Sequence, residues 1–308
     1  MKRILKWIGI GLLVLVGIIV VGGTIMHFTG RSRMNKAPEV ATRPVTVPAD
    51  AAAVAHGQHL VDNVSSCRLC HGDQLEGTVL IDGELGMYIP APNLTSGAGG
   101  IGASFSDADW ERAIRHGVGG DGRVLAIMPS QIFQHYSDQD LGDLIAYLES
   151  LPPVDNDLGP RRIGFPASVL LNLAPFDDLT HINGIDHANV GGEAPPVGAT
   201  AEYGQYMVSI AMCRECHGEN LAGVTLAEGE DGPPEGPNLT PGGELGGWSE
   251  ADFMTALHNG QTPSGKQLDP EQMPWESLGQ MSDTELQAIW AYLSSLAPLP
   301  TNEVGNSG

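Results

Sequence analysis

The first pattern along the chain is a run without formal charge between Lys6 and Arg31, WIGIGLLVLVGIIVVGGTIMHF from Trp7 to Phe28. At about 1.5 Å per residue it crosses a hydrocarbon core of about 30 Å as one helix. A cleaved secretory signal has a shorter apolar region, about 7–15 residues, and a small-x-small exit. This run leaves through Met26, His27 and Phe28, so the pattern predicts an uncleaved membrane anchor over residues 1–36. Lys2, Arg3 and Lys6 on one side balance Arg31, Arg33 and Lys36 on the other, and positive charge alone does not orient it.

Beyond the anchor the apolar spacing is helical, short, and stated twice. HGQHLV (His56 to Val61) matches YGQYMV (Tyr203 to Val208), and APNLTSG (Ala91 to Gly97) matches GPNLTPG (Gly236 to Gly242). FSDADWERAIRHG (from Phe105) matches WSEADFMTALHNG (from Trp248), and YSDQDLGDLIAYLESLPPV (from Tyr136) matches MSDTELQAIWAYLSSLAPL (from Met281). A steady offset of about 145 residues over four blocks marks a duplicated domain. Each copy predicts three helices. The first covers about Ala51 to Val64. The second begins at Ser106/Asp107 or Ser249/Glu250 and ends at a glycine. The third is capped by Ser137 or Ser282, with Asp140 or Glu285 completing a capping box, and its apolar positions Leu141, Leu144, Ile145 and Leu148, or Leu286, Ile289, Trp290 and Leu293, fall at helical spacing. Pro152 and Pro298 follow. No alternating stretch competes, so the expected class is all-α: an N-terminal transmembrane helix and two tandem domains, 50–154 and 199–300, with a linker at 155–198 and a tail at 301–308.

Composition narrows the function. Of 15 Lys and Arg, six precede residue 37, where there is no acid, so the body carries the other nine against 37 Asp and Glu. Such a surface repels phosphate backbones, which excludes nucleic acid as a partner and favours proteins with a basic docking face.

All four cysteines lie in two copies of one motif, CRLCHG from Cys67 and CRECHG from Cys213. A disulfide inside C-x-x-C closes a very short loop and stabilises little, and it leaves both histidines unexplained. Zinc knuckles sit within about 15–20 residues of each other, and a thioredoxin-type pair belongs in a βαβ context; neither applies. Covalent haem uses every residue: Cys67 and Cys70, or Cys213 and Cys216, add to the two vinyl groups, and His71 or His217 becomes the proximal iron ligand. The repeat also offers a sixth ligand, since Met128 and Met273 each precede a proline and lie 61 and 60 residues after their first cysteine. No second histidine is duplicated: His116 aligns with Asn259, His258 with Arg115 and His135 with Gln280, and these are expected to be ordinary surface or loop residues.

With Gly57 or Gly204 on the first helix, C-x-x-C-H, the Met-Pro loop and Tyr147 or Trp290-Tyr292 on the last helix, each half resembles a class I cytochrome c domain. The tandem, with its P-N-L-T, M-P-W and A-I-W-A-Y-L stretches, is similar to membrane-bound cytochrome subunits of periplasmic alcohol or sugar dehydrogenases. The resemblance implies two covalently bound haem c groups. It also implies redox partners: a donor dehydrogenase or quinol-oxidising complex, and an acceptor oxidase or soluble cytochrome. Met and His on both axial positions leave no open iron, so one-electron relay is expected over the alternative of a dihaem peroxidase. Haem attachment occurs outside the cytoplasmic membrane, so a single pass with the body on the periplasmic side of a bacterial cytoplasmic membrane is expected. In the linker, Val169 to Leu173 is expected to form a helix packed on a domain or a partner, the following residues a loop, and His181, Asp186 and His187 a weak metal-site candidate.

Overall fold

The computed structural model describes residues 2–172, 179–224 and 236–302. The apolar run forms one helix, α1 (Lys2–Asn35), and no residue of its most apolar window is buried. In the first half, Asp50 caps α2 (Ala51–His59) by accepting from the amides of Ala52 and Ala53, and the helix continues as a wider turn over Leu60–Val64. The motif helix α3 (Arg68–His71) follows. Further along come α4 (Asp107–His116), the one-turn α5 (Ser130–Phe133) and α6 (Asp138–Ser150). The second half repeats these as α8 (Ala201–Ile210), α9 (Cys213–His217), α10 (Glu250–Asn259), α11 (Trp275–Leu278) and α12 (Asp283–Ser295); α7 lies between the halves, in the linker described below.

In each half the first helix crosses the last with a glycine at the crossing. A Cβ on Gly57 would lie 1.9 Å from the carbonyl oxygen of Asp143, and one on Gly204 would lie 1.8 Å from that of Ala288. The backbones touch because no side chain holds them apart. Around the crossings Leu60, Val61, Leu141, Leu144 and Ile145 are buried, as are Met207, Val208, Leu286 and Ile289, and both sets belong to one continuous apolar cluster.

The halves are joined by exchanged polar arms. His59 Nε2 lies 3.0 Å from the Glu285 carboxylate, and Tyr206, at the same place in the repeat as His59, donates its hydroxyl to Asp140, the counterpart of Glu285. This corrects one expectation. Ser282 and Glu285 form the full capping box of α12, but on α6 only Ser137 caps, accepting from the Asp140 amide, while the Asp140 carboxylate is engaged by Tyr206. Ser65 Oγ completes the seam, donating to the Ile210 carbonyl at 2.9 Å.

Against the expectation of no strands, the first half carries a small antiparallel sheet, β1 (Thr78–Asp82), β2 (Met87–Ala91) and β3 (Arg162–Ile163), in that order. β2 buries Met87, Ile89 and Ala91, yet Tyr88 and Pro90 between them are also apolar, so the alternation is silent in sequence. The expected linker helix begins earlier, as α7 (Phe165–Leu170), and it packs on α1; Leu173 lies outside the described residues. The loop after it is strapped to the first half. Ile185 and Val190 are buried, and Gln134 receives the Asp186 amide on its side chain and the Gly191 amide on its carbonyl. His181, Asp186 and His187 do not form a ligand cluster among the described residues.

Gly57→Leu and Gly204→Leu are expected to destabilise the protein by at least about 1–3 kcal/mol through overpacking, read as a lower denaturant midpoint; an unchanged midpoint would contradict the crossings. The His59–Glu285 pair generates a pH dependence. The hydrogen bond from Glu285 raises His59 against the opposing effect of burial, a contribution present below the ordinary value of 6.5 and lost as pH rises through the raised one. Burial pushes Glu285 up, but the His59 and Ser282 hydrogen bonds outweigh it and hold it below 4.5, so its contribution is present above 4.5 and lost as pH falls through the lowered value. Stability should therefore peak between these limits, and Glu285→Gln should flatten the peak in pH-dependent denaturation.

Candidate functional site

Tight turns present both cysteine motifs. Ser66 and Met212, each just before a first cysteine, adopt positive φ of 50° and 58°, and Gly72 and Gly218 turn the chain away after each histidine with φ of 81° and 77°. The motif arginines tie the turns to the last helices: Arg68 donates to the Tyr147 hydroxyl at 2.9 Å and Arg214 to that of Tyr292 at 3.3 Å. The cysteines are free of disulfides. Burial pushes the Cys67 thiol up to about 12 and Cys213 up to about 11.

The histidines are oriented by a device that repeats. His71 Nδ1 lies 2.9 Å from the Pro92 carbonyl and His217 Nδ1 2.7 Å from that of Pro237. A carbonyl only accepts, so Nδ1 carries the proton in both rings and Nε2 keeps its lone pair. Burial lowers both histidines, with the carbonyl bond opposing, which keeps the rings neutral and able to ligate a metal. The carbonyl is itself held in place. Asn93 Oδ1 accepts from the amide and hydroxyl of Thr95 at 2.9 and 2.8 Å, and its Nδ2 donates to Val154 at 2.7 Å. Asn238, Thr240 and Leu299 repeat the arrangement. The recurring P-N-L-T was legible as a repeat marker; its task of pinning the carbonyl that fixes the histidine was not.

In the first half the motif faces a largely apolar cavity of about 860 Å³, at the upper end of cofactor sites, which run about 300–1,000 Å³. Cys67, Cys70, His71 and Met128 all line it, with Ile89, Leu94 and Ile114 among its walls, and His71 is the one histidine among its described lining residues. Trp110 also lines it and is buried, and its Nε1 has no partner among the described residues. An orphaned donor at the wall of an apolar cavity suits the carboxylates of a macrocycle, and the donor set suits haem. In the second half Cys213 and Met273 pack against the shared apolar cluster, and residues 225–235 lie outside the described ones.

The other histidines divide. His135 and His258 are exposed, as expected. His116 is not a surface residue: it is fully buried, with Nδ1 2.8 Å from His187 Nδ1 and Nε2 3.4 Å from Glu111, because the linker loop covers it.

The cytochrome c family pattern matches residues 54–152, and that of cytochrome c oxidase, cbb3-type, subunit III matches residues 199–293. A diheme c-type cytochrome of Cereibacter sphaeroides is 30% identical over 237 residues, covering 71% of this chain and 75% of that protein. The chain belongs to the dihaem c-type cytochromes. It carries two covalently bound haem c groups and serves electron transport. It is also similar, at 27% identity, to the cytochrome c subunit of a quinone alcohol dehydrogenase of Gluconacetobacter polyoxogenes, over 84% of this chain and 59% of that one. The gluconate 2-dehydrogenase cytochrome c subunit of Pantoea cypripedii is likewise 27% identical, over 80% and 60%. This cytochrome thus spans about three fifths of the length of those dehydrogenase subunits.

Asn93→Ala would leave the buried Thr95 amide without its acceptor, while the Thr95 hydroxyl and the Val154 carbonyl keep each other. It is expected to cost about 1–3 kcal/mol, measured as a lower denaturant midpoint; an unchanged midpoint would show that the loop is held by other means.

Proposed function

We propose that this cytochrome is a membrane-anchored relay. It takes single electrons from a dehydrogenase or quinol-oxidising complex and passes them to an oxidase or soluble cytochrome, and is not itself catalytic. In this reading Cys67, Cys70, Cys213 and Cys216 hold the two haems by thioethers, and His71 with Met128, and His217 with Met273, take the axial positions. The observation that carries it is the cavity of the first half, where Cys67, Cys70, His71 and Met128 converge with no second histidine among the described lining residues. Bound haem supplies the one-electron exchange. The chain supplies the rest: Pro92 and Pro237 hold their histidines with Nε2 unprotonated, Met128 and Met273 on the Met-Pro loops would offer thioether ligands, and the apolar walls of the first cavity would keep water from the haem there. The relatives named as dehydrogenase cytochrome subunits support the donor class. The apolar, unburied α1 supports an anchor, and haem attachment outside the cytoplasmic membrane would put the acidic body on the periplasmic side.

The test is axial substitution. Both irons of the oxidised protein are expected to be low-spin, with the weak near-infrared sulfur-to-iron band, and inert toward peroxide. Met128→Ala should turn the first iron high-spin while haem stain stays on the denatured band, and Met273→Ala should do the same for the second. A wild-type protein with one high-spin iron and peroxidase turnover would overturn the relay.

A further inference from the structure

The helix α7 is docked on α1 through backbone. A Cβ on Gly30 would meet the Ser168 carbonyl oxygen at 1.8 Å. The polar groups at this contact are used within it. His27 Nδ1 lies 2.5 Å from Ser168 Oγ, Asn172 Nδ2 donates to the Met26 carbonyl at 2.7 Å, Thr29 Oγ1 donates to Asn172 Oδ1 at 2.7 Å, and Arg161 donates to the Met34 carbonyl at 2.7 Å.

What this contact leaves facing outward is apolar. Phe165 is 55% exposed and Phe28 65%. The Phe165 ring lies tilted beside His27, with ring centres 5.3 Å apart, and reaches within 3.4 Å of where a Cβ on Gly23 would sit, inside the uncharged run of the anchor. The tip of the β1–β2 hairpin joins them: the Gly164 amide donates to the Gly86 carbonyl at 3.0 Å, and the neighbouring Leu85 is 44% exposed. Cations gather beside these side chains although the chain carries a formal charge of −22. Arg31, Arg33 and Lys36 end the anchor, and Arg162 lies over the Tyr88 ring at 4.2 Å. Apolar side chains level with the end of a span, ringed by Lys and Arg, are the composition of a surface seated at lipid headgroups.

We infer that the end of α1, the helix α7 and the β1–β2 tip form one lipid-facing surface, which seats the first half on the bilayer instead of leaving it on a free tether. The inference rests on reading α1 as an uncleaved anchor. Lipid is the occupant because the surface continues the apolar, unburied run of α1 and because Arg31, Arg33, Lys36 and Arg162 outnumber the exposed Asp82 and Glu84 that flank Leu85 at the hairpin tip. The same hairpin supplies Leu80, Ile89, Pro90 and Ala91 to the wall of the first cavity, so the first haem would lie at the membrane and the second farther out.

With the four native cysteines consumed by haem, an introduced cysteine is a unique thiol for a nitroxide label. Full-length protein carrying Leu85→Cys, Phe165→Cys, Leu13→Cys or Val197→Cys would be labelled and reconstituted in phosphatidylglycerol-containing vesicles. Collisions with oxygen, which concentrates in lipid, would be compared with those of a water-soluble nickel chelate. Labels at 85 and 165 are expected to favour oxygen several-fold, as the label at 13 does, while 197, exposed on the linker, favours nickel. If 13 reports lipid but 85 and 165 follow 197, or are shielded from both reagents by a protein partner, the lipid-facing surface is overturned and the anchor stands. A label at 13 that reports water, or is missing from the mature protein, overturns both.

Discussion

Two contacts of backbone on backbone, Gly57 against Asp143 and Gly204 against Ala288, set the geometry from which the rest follows. Any side chain at either glycine would drive the first and last helices of that half apart. The crossing brings Tyr147 or Tyr292 within reach of the motif arginine, which fixes the cysteine turn. The segment after the last helix, at Val154 or Leu299, then receives the P-N-L-T loop, whose carbonyl sets the tautomer of His71 or His217. The tautomer of each motif histidine therefore depends on a packing constraint located on another element.

Duplication also supplies the joint between the halves. One position of the repeat carries the arm, His59 or Tyr206, and another carries the acceptor, Glu285 or Asp140, and each half gives its arm to the other. Substitution has since differentiated the two contacts. His59 is raised by its hydrogen bond to Glu285, so that bridge changes with pH, whereas the tyrosine is pushed far upward by burial and the neighbouring Asp140 and remains a neutral donor. The continuous apolar cluster across the seam makes the pair a single packed body, which suits transfer between two sites at fixed separation.

Among the described residues, β3, α7 and the strap from Ile185 to Gly191 stand outside the repeat, because all three come from residues 155–198, which have no counterpart. The strap buries His116 and the sheet walls the first cavity. The insertion is thus part of the first domain's structure and the point at which the body meets α1.

Much of this was legible in one dimension. The uncharged run, the helix periods and caps, the two C-x-x-C-H motifs and the Met-Pro pair in register depend on residues close in sequence or on the repeat. Tertiary structure decided the rest, because the partners are remote in the chain. Tyr206 rather than the local cap takes the Asp140 carboxylate, Pro92 receives the His71 proton, and α7 closes on Gly30 from 138 residues away. Strands β1 and β2 were hidden for a different reason: Tyr88 and Pro90, half-buried, are as apolar as the buried residues between which they lie, and the register slips between Val79 and Ile81, so no alternation marks them. Sequence specifies which groups carry the chemistry, while burial and long-range hydrogen bonds determine which of them meet, since those energies depend on neighbours that only the folded chain brings together.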